Sequence, residues 1–559
     1  MTKDITKIDW SAKDRDKYIT KLRNDEFDLI IIGGGITGSG IFRDACIRNK
    51  VANKNLKIGL LEKCDFAFGT SNKSTKMVHG GIRYLAYGEF DLVHESETER
   101  DWLRNDFQNL IRPVPFLYPA YKGHETKSTI KMGLSIYDKL ADKNNYKDYE
   151  WVDHEELEKT EPEFDTSTTR GKGAGRYFDT NVNDARLTLE SIKEGIYYGG
   201  IAINYIKAES LIKNNEGKIT GVNVSDELSG ETFGIKAKKV VNATGVWTDT
   251  LLEGSEDIIR PTKGVHIVVP YENVKCSNAI IVRSIDDARH FFCVPREKEF
   301  ILIGTTDTDY DGSYDEVYCS QEDSDYMTRS VKHYFPKANL DNDQIISAYA
   351  GLRPLIKGSK EGEEKSESAV SRKHEIIESD NGLTSMAGGK LTTYRLMAEE
   401  LIKKIIENGD IDLPFKEELT KKKFLISYDL SEWKNDKSKF DSDEDILEHL
   451  YQEYGKGINE IFEIIKKEPE LKKRIVKHRF FILAEIKYII QHEFAPRLVD
   501  VLYRRTEVWM LIHPKYQQEV AKRAAEIMGE YYDWSEERIK REIEDYLNLI
   551  YKNDFFYKK

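Results

Sequence analysis

The first residues in this chain that could do chemistry are glycines. Gly33-x-Gly35-x-x-Gly38 stands directly behind the apolar run Asp28-Leu-Ile-Ile-Ile32. Glycines at that spacing let a strand end in a tight turn and start a helix close against a diphosphate, whose charge is drawn to the free N–H groups of the helix's first turn. A second apolar run, Lys57-Ile-Gly-Leu-Leu-Glu62, ends in a carboxylate where a dinucleotide fold places the acceptor for ribose hydroxyls. A tight turn ahead of an ordinary core helix is the alternative. The order strand, glycines, helix, strand, Glu62 favours the dinucleotide.

The next cluster is Phe66-Ala-Phe-Gly-Thr-Ser-Asn-Lys-Ser-Thr-Lys-Met-Val-His-Gly-Gly-Ile-Arg-Tyr-Leu85. Thr70, Ser71, Ser74 and Thr75 offer hydroxyls beside Gly69, Gly80 and Gly81, so backbone and side-chain donors can approach a diphosphate or a flavin ring. His79, Arg83 and Tyr84 crowd around the Gly-Gly pair, which a plain Ser/Thr-rich surface loop seldom does. Further on, a buried strand opens into Asn242-Ala-Thr-Gly-Val-Trp247. Ala243, Thr244 and Gly245 are similar to the second cofactor contact of two-dinucleotide-binding-type flavoproteins, which supports a flavin over a lone nicotinamide.

The elements that must position these groups follow from periodicity. The spacing predicts a helix over residues 36–48, an amphipathic helix over 89–110, a proline-stiffened extended stretch over 112–119, and mixed helix and loop over 120–175. Residues 175–187 read as a strand leading into a helix capped near Asn183 or Asp184, with Asp184 and Arg186 a structural pair. Strands are expected at 202–205, 219–224 and 237–241, and an antiparallel set at 260–270, 290–296, 300–307 and 348–355. The polar run 358–368 reads as a solvated, mobile loop. Met386-Ala-Gly-Gly-Lys-Leu-Thr-Thr-Tyr-Arg-Leu-Met397 reads as a strand, a Gly-Gly turn and a helix. From about residue 413 the texture becomes Lys/Glu-rich with helical apolar spacing, at 445–454, 483–491, 496–506 and 535–549.

Composition narrows the function class. A net charge of −13 disfavours a general nucleic-acid binder, which needs a basic excess. Cys46, Cys64, Cys276, Cys293 and Cys319 are scattered, with no C-x-x-C pair, so neither a disulfide framework nor a metal site is indicated, and a reducing compartment is expected. Residues 1–26 are polar without an apolar segment of signal-peptide length, and no later stretch reaches spanning length, so any membrane contact is expected to be peripheral.

Taken in order, the motifs resemble the FAD-dependent glycerol-3-phosphate dehydrogenase/oxidase family. The resemblance rests on Gly33–Gly38, Gly69-Thr-Ser-x-x-Ser-Thr-Lys-x-x-His-Gly-Gly-x-Arg-Tyr-Leu85, Asp184-Ala-Arg-Leu-Thr188, Gly304-Thr-Thr-Asp-Thr-Asp309, Gly351-Leu-Arg-Pro-Leu355, Gly388-Gly-Lys-Leu-Thr-Thr-Tyr394, Ala484-Glu-Ile486 and Asp500-Val-Leu-Tyr-Arg-Arg-Thr506. It implies an α/β fold: a two-dinucleotide-binding-type FAD (Rossmann-like) domain interleaved with an antiparallel-sheet substrate domain over residues 25–412, behind a polar segment 1–24, plus an all-α C-terminal domain over 413–559. It implies FAD held by Gly33, Gly35, Gly38, Glu62, Thr70, Ser71, Ser74, Thr75, His79, Gly80, Gly81, Ala243, Thr244, Gly245, Gly388, Gly389, Lys390, Leu391 and Thr392. By the same resemblance, Arg83, Tyr84, Arg372 and Lys390 hold the phosphate and hydroxyls of glycerol 3-phosphate, and His79 and His266 line the flavin. Arg353 is expected to stabilise the developing alkoxide, and His266 to move its proton.

The electron acceptor divides the readings. A quinone at the inner, cytoplasmic face of a membrane is the first; oxygen, with peroxide released, is the second, and the chain shows no obvious insertion of the sort such oxidases often carry. An amino-acid oxidase would use one Arg for a carboxylate. A non-catalytic FAD scaffold, or a homodimer, is a further expectation to weigh.

Overall fold

The computed structural model describes residues 4–141, 145–169, 171–252, 257–296, 299–357 and 373–553. Its first layer is an eight-stranded sheet whose main path runs His374–Glu378, Thr384–Gly388, Thr232–Asn242, Glu26–Ile32, Ile58–Leu61 and Ile201–Ile203. The last five of these pair in parallel. Leu29 to Ile32 form a continuous buried run because helices cover both faces of a parallel sheet. The helix Ile36–Val51 follows, buried almost all round, and packs on Asp184–Tyr197 and Tyr394–Glu407. Ile206–Lys213 and Ile219–Asp226 add an antiparallel arm. The first of these strands escapes sequence reading because its alternation is broken by a bulge at Ala208/Ser210.

The second sheet has ten strands and carries Ile259–Pro270, His290–Arg296, Phe300–Gly304 and Ser347–Ile356 among them. It is antiparallel as expected except where Ala279–Arg283 runs parallel to Arg112–Pro119. One face packs against the C-terminal helices in a shared core, with Phe116, Tyr177 and Phe300 joined to Tyr454, Phe481 and Trp509. The expected helix at 89–110 closes at Asp106. The expected helix at 496–506 is instead a short π-helical turn, Asp500–Arg505, in which the Thr506 N–H reaches Val501 O. That turn aims Arg504 and Arg505 at Asp65 of the first domain, at 2.5 and 2.6 Å.

The polar N-terminal stretch is folded down. Trp10 is fully buried and donates its indole N–H to Ala202 O at 3.2 Å. The helix starting at Asp184 is capped by Asn183, whose side chain accepts the Arg186 N–H. Asp184 and Arg186 do not pair with each other: Asp184 takes Lys76 at 2.7 Å, and Arg186 takes Glu493 at 2.5 Å. Residues two apart on a helix do not face each other, so the spacing itself rules out the pair. The loop 358–368 lies outside the described residues.

Candidate functional site

The carboxyl ends of the parallel strands converge on one cavity of about 1170 Å³, above the roughly 300–1,000 Å³ usual for a single small ligand. Residues at the ends of those strands, Gly33, Glu62, Ala243 and Gly388, form one side. The second sheet supplies the other.

The glycine turn has the shape its spacing predicts. Gly33 has φ of +110°, and a side chain on Gly38 would collide with the Gly33 carbonyl while approaching the Ala243 methyl to 3.5 Å. Gly38 therefore sits behind the cavity wall and lets strand and helix close up; Gly35 faces the cavity. Ser71 Oγ accepts the Ile36 N–H at 2.8 Å, so it caps the helix start. Glu62 uses one oxygen for the Gly34 N–H at 2.7 Å and the other for the Cys64 N–H at 2.9 Å. Burial raises its pKa against the pull of those two donors. Each oxygen retains a lone pair for a ribose hydroxyl.

In the Ser/Thr loop, Thr70, Ser71, Ser74 and Thr75 all border the cavity, but their hydroxyls are largely employed by the protein. Thr70 donates to Leu352 O at 2.5 Å, Ser74 donates to Asp184 at 2.6 Å, and Thr75 meets His266 Nε2 at 3.0 Å. His79 and Gly81 line the cavity. Gly80 stands behind it, its N–H given to Asp179 at 3.3 Å. Thr392 Oγ1 accepts the His79 N–H at 3.2 Å and donates to His79 O at 3.1 Å, tying this turn to Gly388, Gly389, Lys390 and Leu391, which also line the cavity. Thr244 and Gly245 complete the ring. Glycines at positive φ, such as Gly245 (+63°), Gly388 (+72°) and Gly389 (+88°), make this wall a cradle of exposed backbone.

Cations gather on the walls. Two cations lie against the Tyr84 ring, Lys390 at 4.1 Å from its centroid and Arg83 at 5.2 Å. Lys390 also donates to Ser96 Oγ at 3.1 Å, and Arg83 stands 3.7 Å from Asp307. Arg353 is held by Asp307 at 3.1 Å and by Thr305 Oγ1 and Thr306 O, both at 2.9 Å. Gly264, two residues beyond Thr262 on the paired strand, leaves room for it: a Cβ there would come 2.5 Å from one guanidinium nitrogen. Arg372 lies outside the described residues.

His266 is buried, stacked on Tyr349 at 4.7 Å. Burial, then the Arg353 and Lys76 charges, hold its pKa well below the ordinary histidine value, so it is neutral at pH 7. Nε2 meets Thr75 Oγ1 at 3.0 Å, and Nδ1, itself buried, has no hydrogen-bond partner among the described residues.

Sequence reading missed Arg283, Arg289, His290 and the role of Asp307. Arg283 and His290 face each other in register across a hairpin and meet at 3.3 Å, with Glu125 at 2.8 Å from Arg283. Burial and Arg283 hold His290 down to about 4. Asp307 stood inside the Gly304–Asp309 motif; its signal was a carboxylate among hydroxyl residues.

The chain matches the family described as FAD dependent oxidoreductase over residues 28–395, and the C-terminal domain of alpha-glycerophosphate oxidase over 420–539. It is 35% identical over 548 residues to an aerobic glycerol-3-phosphate dehydrogenase of Staphylococcus aureus, covering 95% of each chain. The counterpart in Staphylococcus epidermidis is 35% identical over 513 residues, 89% of each. Among solved structures, the glycerol-3-phosphate dehydrogenase of Bacillus halodurans complexed with FAD is 29% identical and superposes with a TM-score of 0.78, over 98% of this chain and 99% of that one. The L-alpha-glycerophosphate oxidase of Mycoplasma pneumoniae, 17% identical with a TM-score of 0.53 over 71% of this chain and 98% of that one, shares the fold.

Proposed function

This chain belongs to the FAD dependent oxidoreductase family and carries the C-terminal domain of alpha-glycerophosphate oxidases, and we propose that Arg83, Tyr84, Lys390, Arg353 and His266 are the residues with which it works and that a membrane quinone takes its electrons. It is an FAD-dependent enzyme that oxidises glycerol 3-phosphate to dihydroxyacetone phosphate. The observation that carries the site assignment is the set of cations on the walls of a cavity whose other wall is a dinucleotide cradle. A dianionic phosphate needs such cations, and a carboxylate substrate needs fewer. Gly33, Gly35, Glu62, the Thr244–Gly245 turn and the Gly388–Thr392 turn hold the FAD. When bound, FAD supplies the acceptor for the hydride that leaves C2.

The chain's own residues do the rest. Arg83 and Lys390, both against the Tyr84 ring, bind the phosphate. Arg353, fixed by three acceptors, presents a charge that needs no reorganisation where negative charge builds on the C2 oxygen. A guanidinium does not deprotonate at working pH. His266, held neutral on the cavity wall, accepts the C2 hydroxyl proton. His79 and the turn it shares with Thr392 form the wall opposite. The test is anaerobic: glycerol 3-phosphate bleaches the yellow enzyme, while glycine and proline do not. Bleaching by an amino acid, or by nothing, sinks the reading.

The quinone draws support from the cavity's rim. Tyr87, Phe90 and Met132 are 49%, 45% and 61% exposed and all line the same cavity, with Ile82, Leu85 and Ile136 beside them. Exposed apolar groups gathered at one mouth favour a lipid-soluble acceptor over a dissolved one. No helix among the described residues is long and apolar enough to cross a membrane. With net charge −13 the attachment relies on this small patch, so it is reversible and only partly salt-sensitive. Replacing Tyr87, Phe90 and Met132 together by serine is expected to abolish liposome co-sedimentation and quinone reduction while bleaching by substrate persists. Rapid peroxide release in air by a protein that binds no lipid would make it the oxidase.

A further inference from the structure

We infer that Lys73 binds the diphosphate of FAD, adding a side-chain charge to the backbone donors of the glycine turn. The inference rests on the FAD reading above. Lys73 follows Ser71 by two residues, and Ser71 Oγ is bonded to the Ile36 N–H at the start of the helix that carries the anion site. The loop is pinned on both sides of the lysine: its N–H bonds Thr70 O at 3.0 Å, and its backbone lies against Gly351, where an added Cβ would come 2.8 Å from Lys73 O. The side chain lines the cavity, and its ammonium stands 5.4 Å from the Phe68 ring.

What Lys73 lacks is an anion. Among the described residues no carboxylate lies within ion-pair distance of it. The charged and titratable groups facing it are Arg504 on the π-helical turn, Cys64 after the second strand, and Asp315. Asp315 is taken by Lys63 at 2.6 Å, Arg504 by Asp65 at 2.5 Å and Asp500 at 3.0 Å, and the Cys64 thiol is pushed up to about 12 by burial, so it is neutral at working pH. A confined cation with no protein counter-charge lies beside a cradle for an anionic group. Burial first, then the Arg504 charge, lowers the Lys73 pKa to about 8. A bound diphosphate restores the missing partner and favours the charged form.

The full-length holoenzyme provides the test, by FAD release on dilution followed through flavin fluorescence. Lys73→Met is expected to raise the FAD dissociation constant about ten-fold or more at neutral pH, as for loss of a charge-assisted contact, with the flavin absorption spectrum and potential unchanged. Wild-type affinity falls as pH rises through about 8, because the ammonium form is the one that binds; Lys73→Arg stays tight and flat over the same range, and Lys73→Met weak and flat. Wild-type affinity in the methionine variant, or the same pH slope in wild type and variant, overturns the inference. A shifted flavin spectrum or potential overturns the diphosphate assignment in favour of the ring. Should Lys73→Met fail to fold, the wild-type and arginine pH profiles decide alone. A wild-type protein that never takes up FAD would refute the family's cofactor for this chain instead.

Discussion

Arg353→Met lowers kcat/KM for glycerol 3-phosphate by about 10²–10³-fold, the range for removing one preorganised donor from a site where charge develops. Methionine keeps much of the volume and removes the charge. Three acceptors hold the guanidinium, so it contributes orientation as well as charge. Arg353→Lys is therefore expected to recover only part of the loss, because a single ammonium cannot span Asp307, Thr305 and Thr306 together while facing substrate. The fall should lie in kcat more than in KM, since the alkoxide is a transition-state charge and the ground-state hydroxyl is neutral. Steady-state kinetics on protein with full FAD content make the measurement. A kcat/KM within a few-fold of wild type would remove Arg353 from the chemistry and leave Arg83 and Lys390 as the working cations.

Asp65→Ala destabilises the protein by about 3–5 kcal/mol, the cost of breaking a buried ion pair from one side. Asp65 is fully buried and takes both Arg504 and Arg505, with Arg505 bidentate at 2.6 and 2.8 Å. Losing the carboxylate leaves two buried guanidinium groups short of charge, at the joint between the first sheet and the C-terminal helices. Burial works to raise the Asp65 pKa, but Arg505 and Arg504 outweigh it and hold the group below the ordinary carboxylate value. A depressed carboxylate stabilises above its unfolded pKa, so this contribution is complete at neutral pH and is lost as pH falls through the folded value. The urea midpoint of the first unfolding transition, compared at neutral and acid pH, reads it. A shift below about 1 kcal/mol at neutral pH would show that the pair is dispensable.

Much of the fold was legible because its signals are local. Leu29 to Ile32 followed by Gly33-x-Gly35-x-x-Gly38 contains the strand, the turn and the helix start within a few residues, and the helix expected over 36–48 starts at Ile36 and runs on to Val51. Asn183 capping and the strand, Gly-Gly turn and helix around Gly388 are equally local. The π-helical turn at Asp500–Arg505 was not, because its geometry is drawn by Asp65, 435 residues away from Asp500 in a different layer.

A dinucleotide cradle, and the residue types that stand ready beside it, can be read from local pattern. Which of those residues meet depends on how distant elements pack. Arg353 lies opposite Thr262, and His266 opposite Gly304, because three distant strands pair in one register; a shift of one residue would turn Arg353 and His266 away from the cavity. The same register brings Asp307 to Arg353, a partner that spacing could not indicate. It was tertiary packing, too, that committed the Ser74 hydroxyl to Asp184 and set Asp184 and Arg186 against different neighbours. Strand and turn propensities act over a few residues, whereas the electrostatics of a buried site depends on every charge packed around it, and those charges come from all parts of the chain.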